Sequence, residues 1–143
     1  MTLRQISVFL ENKKGRLAEV TKLIAEEKIN IRALSLADTT DFGVLRLIVN
    51  DPDRCFAALK KNNFVAQQTD VIAVEVTDKP GGLQQILDVF DESGINIEYM
   101  YAFVEKKSDN AIVIFRIDQP GRAIEVLKEN KITVLSSQVI SKL

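Results

Sequence analysis

The sequence predicts an α+β fold built from two β-α-β-β-α-β units in tandem. Three observations predict it: an internal repeat, a hydrophobic period that switches between strand and helix spacing, and enough apolar content for real cores. The stretch Asn12-Lys13-Lys14-Gly15-Arg16-Leu17 returns as Asp78-Lys79-Pro80-Gly81-Gly82-Leu83. At the same separation Ile29-Asn30-Ile31 returns as Ile95-Asn96-Ile97. Further on, Asp51-Pro52-Asp53-Arg54 corresponds to Gln119-Pro120-Gly121-Arg122, two residues further apart. The extra residues fall in the hairpin near Lys106–Asn110, where an insertion costs least. A repeat of this length is read as one supersecondary unit used twice. The expected boundary separates residues 1–68 from 69–143.

Each element has its own signal. Ile6, Val8 and Leu10 alternate with Gln5, Ser7 and Phe9, which is strand period. Leu17, Val20, Leu23 and Ile24 follow at helical spacing, with Glu19, Lys22, Glu26 and Glu27 opposite them. Ile29–Ala37 reads as a second strand, Asp38–Asp41 as a polar turn and Gly43–Val49 as a third strand rich in branched residues. Asp51 and Pro52 open a second helix, with aspartate as cap and proline in the first turn. Its apolar side is Cys55, Ala58 and Leu59, and Phe64–Gln67 closes the unit. The second half repeats the order: strand Val71–Val76, a helix with Leu83, Ile86, Leu87 and Phe90 on one face, and strands Ile95–Val104 and Ala111–Ile117. A helix entered through Pro120 and a closing strand Ile132–Leu135 follow, and Val139-Ile140 is expected to extend the sheet. Strands joined through helices around a central hairpin form a split βαβ unit of ferredoxin-like type. The right-handed crossover rule puts both helices on one face of an antiparallel sheet. The other face of the third strands is also partly apolar, through Val44, Ile48, Ile112 and Ile114. Either these strands are central or a second protomer covers that face.

Composition narrows the function. The 143-residue chain is 46% hydrophobic. Its net charge is -1 and its pI is about 5.6, unlike the basic face of a nucleic-acid binder. No apolar run reaches the ~20 residues of a membrane span. The start Met1-Thr2-Leu3-Arg4-Gln5 has no signal-peptide pattern, and with Cys55 as the one cysteine no intrachain disulfide is possible. A cytoplasmic location is expected. Histidine is absent, which removes the commonest general base and zinc ligand. Asp41, Asp51 and Asp53 have no metal-ligand spacing. No catalytic residue, metal or cofactor is expected.

The two glycine loops remain as candidate sites. A helix start carries unpaired N–H groups and partial positive charge, which suits a carboxylate. Gly15 and Gly81 would let a ligand approach the backbone. Asn12 or Asp78 could accept from an ammonium group or cap the helix. Asn30 and Asn96 begin the neighbouring strand. Asx and Gly are also ordinary turn residues, so the loops alone do not decide the matter. Lys13-Lys14 and Lys106-Lys107 read first as solvated turn charges, and Cys55 as a buried helix residue.

The pattern Asx-x-x-Gly-x-Leu, a helix, then Ile-Asn-Ile, within β-α-β-β-α-β, resembles the ACT domain family. The resemblance covers both halves. It implies a regulatory, non-enzymatic module that binds an amino acid, with paired units joined side by side and helices on one face. Ligands would lie between the first loop of one unit and strand two of the other. By position, the resemblance assigns contacts to Asn12, Lys13, Gly15, Arg16, Leu17 and Asn30, and to Asp78, Gly81, Gly82, Leu83 and Asn96. Two departures make the loops unequal: Lys14 stands where Pro80 does in the second loop, and Asp78 replaces asparagine. By alternation, Tyr99 and Tyr101, which correspond to Ala33 and Ser35, share the helix side of the sheet. There they would wall the first site or pack an interface. The expected partners are a small-molecule amino acid, a second copy of the chain and a regulated enzyme or transcription factor. Two other readings fit this fold: an RNA-binding module, which needs exposed aromatics on strands one and three, and an acylphosphatase-like enzyme using Arg16 to cradle a phosphate.

Overall fold

The computed structural model describes residues 1–38, 41–103 and 110–143. The elements are β1 (Leu3–Glu11), α1 (Arg16–Glu26), β2 (Ile31–Asp38), β3 (Phe42–Val49), α2 (Pro52–Lys61), β4 (Val65–Thr77), α3 (Gly82–Glu92), β5 (Ile97–Ala102), β6 (Asn110–Ile117), α4 (Pro120–Glu129), β7 (Val134–Leu135) and α5 (Ser137–Ser141). The chain folds as two units, Arg4–Thr69 and Asp70–Leu143 together with Met1–Leu3. The expected short strand at 64–67 and the strand from Val71 are one strand, β4. The expected insertion at Lys106 and Lys107 lies outside the described residues.

In the first unit the strand order is β2-β3-β1-β4. β1 and β3 pair antiparallel with Ile6 opposite Leu47, Val8 opposite Leu45 and Leu10 opposite Gly43. Those strand residues meet Val20 and Ile24 of α1 and Cys55 and Leu59 of α2 in one buried cluster. Both helices therefore cover the same face of the sheet. In the second unit the order is β7-β4-β6-β5. Ile72, Val74, Phe115 and Ile117 pack there against Ile86 and Phe90 of α3 and Ala123 and Leu127 of α4. Phe90 and Phe115 meet edge to face at 5.4 Å. Fully burying a side chain of this size stabilises by about 1.5–3 kcal/mol.

The helices start and stop for local reasons. Asp51 caps α2 by accepting from the Arg54 N–H at 3.3 Å, with Pro52 in the first turn. Helices α1 and α3 end in Schellman turns: Ile29 N–H donates to Ile24 O at 3.2 Å and Ile95 N–H to Phe90 O at 2.9 Å. The turn residue is left-handed in both, Lys28 with φ 58 and Gly94 with φ 68. That is why Ile-Asn-Ile recurs: Ile29 and Ile95 drop into the core just after each turn.

One expectation is corrected. Val139-Ile140 does not extend the sheet. Ser136 accepts from the Val139 N–H at 3.3 Å and starts the helix α5, with Ile140 buried. On the second face of β3 and β6, Ile48, Ile112 and Ile114 are buried, as are Gln5 and Ser7 on β1, while Phe9 stays exposed. No helix among the described residues is long and apolar enough to cross a membrane.

Candidate functional site

The two loops share one backbone. Gly15 has φ 89 and Gly81 has φ 84, and each is the N-cap of its helix. Nothing lies within 4 Å of a Cβ built on either glycine. The positive φ, not crowding, is what requires glycine there. In the first loop Lys13 N–H donates to Glu11 O at 2.9 Å and Glu19 N–H to Gly15 O at 3.0 Å. In the second, Lys79 N–H donates to Thr77 O at 2.9 Å and Gln85 N–H to Gly81 O at 3.1 Å. Among the described residues no side chain caps α1 or α3. The N–H groups of Leu17 and Ala18, and of Leu83 and Gln84, precede the first helical acceptor and so have none within their helices. The N-cap position of each helix is thus the glycine rather than Asn12 or Asp78. The Asn12 N–H instead ties the loop to Asp41 O at 2.8 Å, fastening it to the turn before β3.

A pocket of about 100 Å³ lies beside the first loop. Its rim is Glu11, Asn12, Lys13 and the stem of Arg16; its wall is Leu10, Leu17 and Leu36, with Gly43 beside them. Leu17 and Leu36 are 40% and 50% exposed, so the wall is open to a ligand. Lys13 Nζ and Glu11 Oε2 form an exposed ion pair at 3.2 Å on the rim. Four expected site residues, Asn12, Lys13, Arg16 and Leu17, are thereby brought together around the turn made by Gly15. Leu10, Glu11, Leu36 and Gly43 are additions. The signal for them was the hairpin: antiparallel return of β3 sets Gly43 opposite Leu10 and Leu36 opposite Leu45.

Arg16 does not aim its charge at the loop. Its Nη1 pairs with Glu19 at 2.7 Å, and the guanidinium stacks over Phe64 at 5.4 Å. This runs it along a wider groove of about 510 Å³ between α1 and the turn after α2. The phosphate cradle that an acylphosphatase would need is not formed by it.

In the second loop Gly82 is held by packing. A Cβ there would collide with the Thr77 carbonyl, so α3 starts directly against β4. Gly82 borders a polar pocket of about 270 Å³ with Thr77, Gln85, Asn110 and Thr133 among its lining. Leu83 packs against the core of its unit.

Asn30 and Asn96 do not join their own loops. Asn30 N–H donates to Asn50 Oδ1 at 3.0 Å and Asn50 N–H donates back to Asn30 O at 3.1 Å. Asn96 O accepts from Asp118 N–H at 3.5 Å. β2 runs parallel to β1, so Asn30 sits at its start and the Asn12 loop near its end. Its eight residues separate them by on the order of 20 Å. Tyr99 and Tyr101 are on the wrong side for the reading from alternation. The register slips between Ile97 and Tyr99, so Tyr99 pairs with Arg116 and Tyr101 with Ile114. Ile114 lies on the face away from the helices, while Phe115, opposite Met100, lies on the helix face. One extra residue in a strand reverses every later side chain. The bulged residue, Glu98, is ion-paired with Arg116 at 3.1 Å.

Cys55 is fully buried. Burial, reinforced by the Asp51 charge, pushes its thiol up to about 11. It is therefore protonated and inert near neutral pH. Among the described residues no group of three or more acidic or cysteine side chains stands close enough to hold a metal ion.

Comparison with known proteins agrees with this architecture. No protein with a curated description matches the chain. The protein BT0572 from Bacteroides thetaiotaomicron is 44% identical over 100% of this chain and 98% of its own, with a TM-score of 0.93. The ligand-free regulatory subunit of aspartate kinase from Thermus thermophilus shares the fold, with a TM-score of 0.63 at 16% identity over 88% of this chain and 91% of that one. The same subunit from Thermus flavus gives 0.60 at 17% identity, over 88% and 90%. The ACT domain pair family matches residues 1–143, from one end of the sequence to the other. The chain belongs to that family: it is a tandem pair of ACT domains.

Proposed function

We propose that this protein is an amino-acid-responsive regulatory protein whose ligand binds at the Asn12–Leu17 loop. The observation that carries the reading is the pocket beside the first loop, where an uncapped helix start meets an aliphatic wall. A zwitterion suits these groups. The carboxylate would accept from the Leu17 and Ala18 N–H groups, aided by the helix dipole. The ammonium group would lie toward Glu11 on the rim. Its side chain would cover Leu10, Leu17 and Leu36. The neutral Asn12 favours this loop over the second, where Asp78 opposes a ligand carboxylate. Similarity in fold to aspartate kinase regulatory subunits supports a regulatory role. The output is read by a partner, an enzyme or a transcription factor, and the protein acts as a homodimer.

The RNA-binding reading loses its surface: Gln5, Ser7 and Ile48, on the strands that would stack bases, are buried. A thermal-shift screen of the twenty amino acids tests the proposal. A ligand at about 100 times its dissociation constant stabilises by about 2.7 kcal/mol. A rise in melting temperature with one amino acid or a small chemical group of them is expected. A flat screen would overturn the proposal.

A further inference from the structure

We infer that the first loop is selective for an aliphatic amino acid of valine, leucine or isoleucine type. The inference rests on the loop reading above and adds the ligand class.

The wall of the pocket is made by three leucines, Leu10, Leu17 and Leu36. A charged ligand side chain laid against these leucines would lose hydration that they cannot replace, and the polar groups beside them are the ones that the ligand's own ammonium and carboxylate would use. The pocket is small, about 100 Å³, and open on the side of Leu17 and Leu36, so a compact branched aliphatic side chain matches its apolar wall better than a bulky ring does.

The space exists because position 43 is glycine. Gly43 lies opposite Leu10 in the β1–β3 pairing. A Cβ added there would sit 3.5 Å from Leu36 Cδ1 and 3.7 Å from Ala37 O, ordinary van der Waals distances. The site could therefore tolerate alanine, but the methyl group would occupy ligand space. The second unit has that methyl group already: Ala111 stands opposite Val76 where Gly43 stands opposite Leu10. Ala102, opposite Val113, replaces Leu36, which is opposite Leu45. The aliphatic wall thus belongs to the first unit.

Isothermal calorimetry on the full chain with valine, leucine, isoleucine, alanine, phenylalanine, lysine and aspartate tests this, alongside the Gly43→Ala variant. Circular dichroism melts confirm that the variant is folded. The aliphatic three should bind at least about 10-fold more tightly than phenylalanine, lysine or aspartate, in line with what pocket contacts discriminate. Gly43→Ala should weaken leucine about 10-fold or more and alanine less than about 3-fold. Tightest binding of a charged or aromatic amino acid, or leucine binding unmoved by Gly43→Ala, would overturn the inference while leaving amino-acid binding intact. Absence of binding by any of the seven would overturn this inference, and a flat thermal-shift screen of all twenty would overturn the loop reading with it.

Discussion

The Asn12–Leu17 and Asp78–Leu83 loops have the same backbone and different side-chain surroundings. Both turn through a left-handed glycine and both leave a helix start without a side-chain cap. After the glycine they part. Arg16 folds outward along α1 to Glu19 and Phe64, and its loop keeps an aliphatic pocket. Gly82 lets α3 press onto the Thr77 carbonyl, and its neighbouring pocket is polar. The difference shows that a duplicated turn preserves backbone geometry without preserving its side-chain surroundings. Backbone conformation is shared because it builds the fold; the side chains around the loop are left free to vary.

Substitutions that copy one unit into the other break or sharpen this comparison. The largest effect is expected at Gly82. Gly82→Arg, which copies Arg16, must move α3 off Thr77 and should cost about 2–3 kcal/mol in urea unfolding, the upper range for overpacking. Arg16→Gly should cost only about 1 kcal/mol, the helix-propensity difference. Equal costs would contradict the close approach of α3 to β4.

Cys55 comes next. In the second unit its buried helix position is filled by Ala123. The unfolded chain loses the thiol proton near the ordinary value of 9.0, and the folded chain holds it to about 11. The folded state therefore binds the extra proton between those values. Stability present below pH 9 is lost as pH rises through the window, by about 2 kcal/mol. Cys55→Ala should remove that loss. Relative to the parent, the variant should gain about that amount between pH 8 and pH 11 in urea titrations. A constant difference would show that the thiol titrates normally.

Gly15→Ala and Gly81→Ala test the shared part. Each forces a residue with a Cβ into the left-handed region and should cost about 1–2 kcal/mol, the same in both loops to within about 0.5 kcal/mol. Unequal costs would mean that the backbones differ in solution. The smallest effect is at the Schellman turns. Lys28→Gly, which copies Gly94, should stabilise by about 0.5 kcal/mol, because relief of the positive φ outweighs the added freedom of the unfolded chain. A loss of stability would contradict the φ assigned to Lys28.

Much of this was legible in the sequence. The repeat, the two periods and the Asp51-Pro52 cap are local signals, and local chemistry decides them. The sequence pattern of the glycine loops was also readable, since a left-handed turn selects glycine directly. What sequence could not show depends on register and packing. Simple alternation put Tyr99 and Tyr101 on the helix face, because a one-residue bulge at Glu98 leaves no mark in the hydrophobic pattern. Asn30 and Asn96 looked like site residues because they recur, yet they recur as parts of helix exits at the far end of the sheet. Arg16 looked free for ligand because its partners, Glu19 and Phe64, are brought to it only by the fold. Leu36 and Gly43 reach the pocket through strand pairing, so nothing in their own neighbourhoods marked them.

The most direct test of the central claim is an amide-resolved nuclear magnetic resonance titration of the whole chain with leucine. The account predicts saturable shifts at the Leu17, Ala18 and Gly43 amides, with Gly82, Leu83 and Gln84 left in place. Shifts centred on Gly82–Gln84, or equal shifts at both loops, would contradict it.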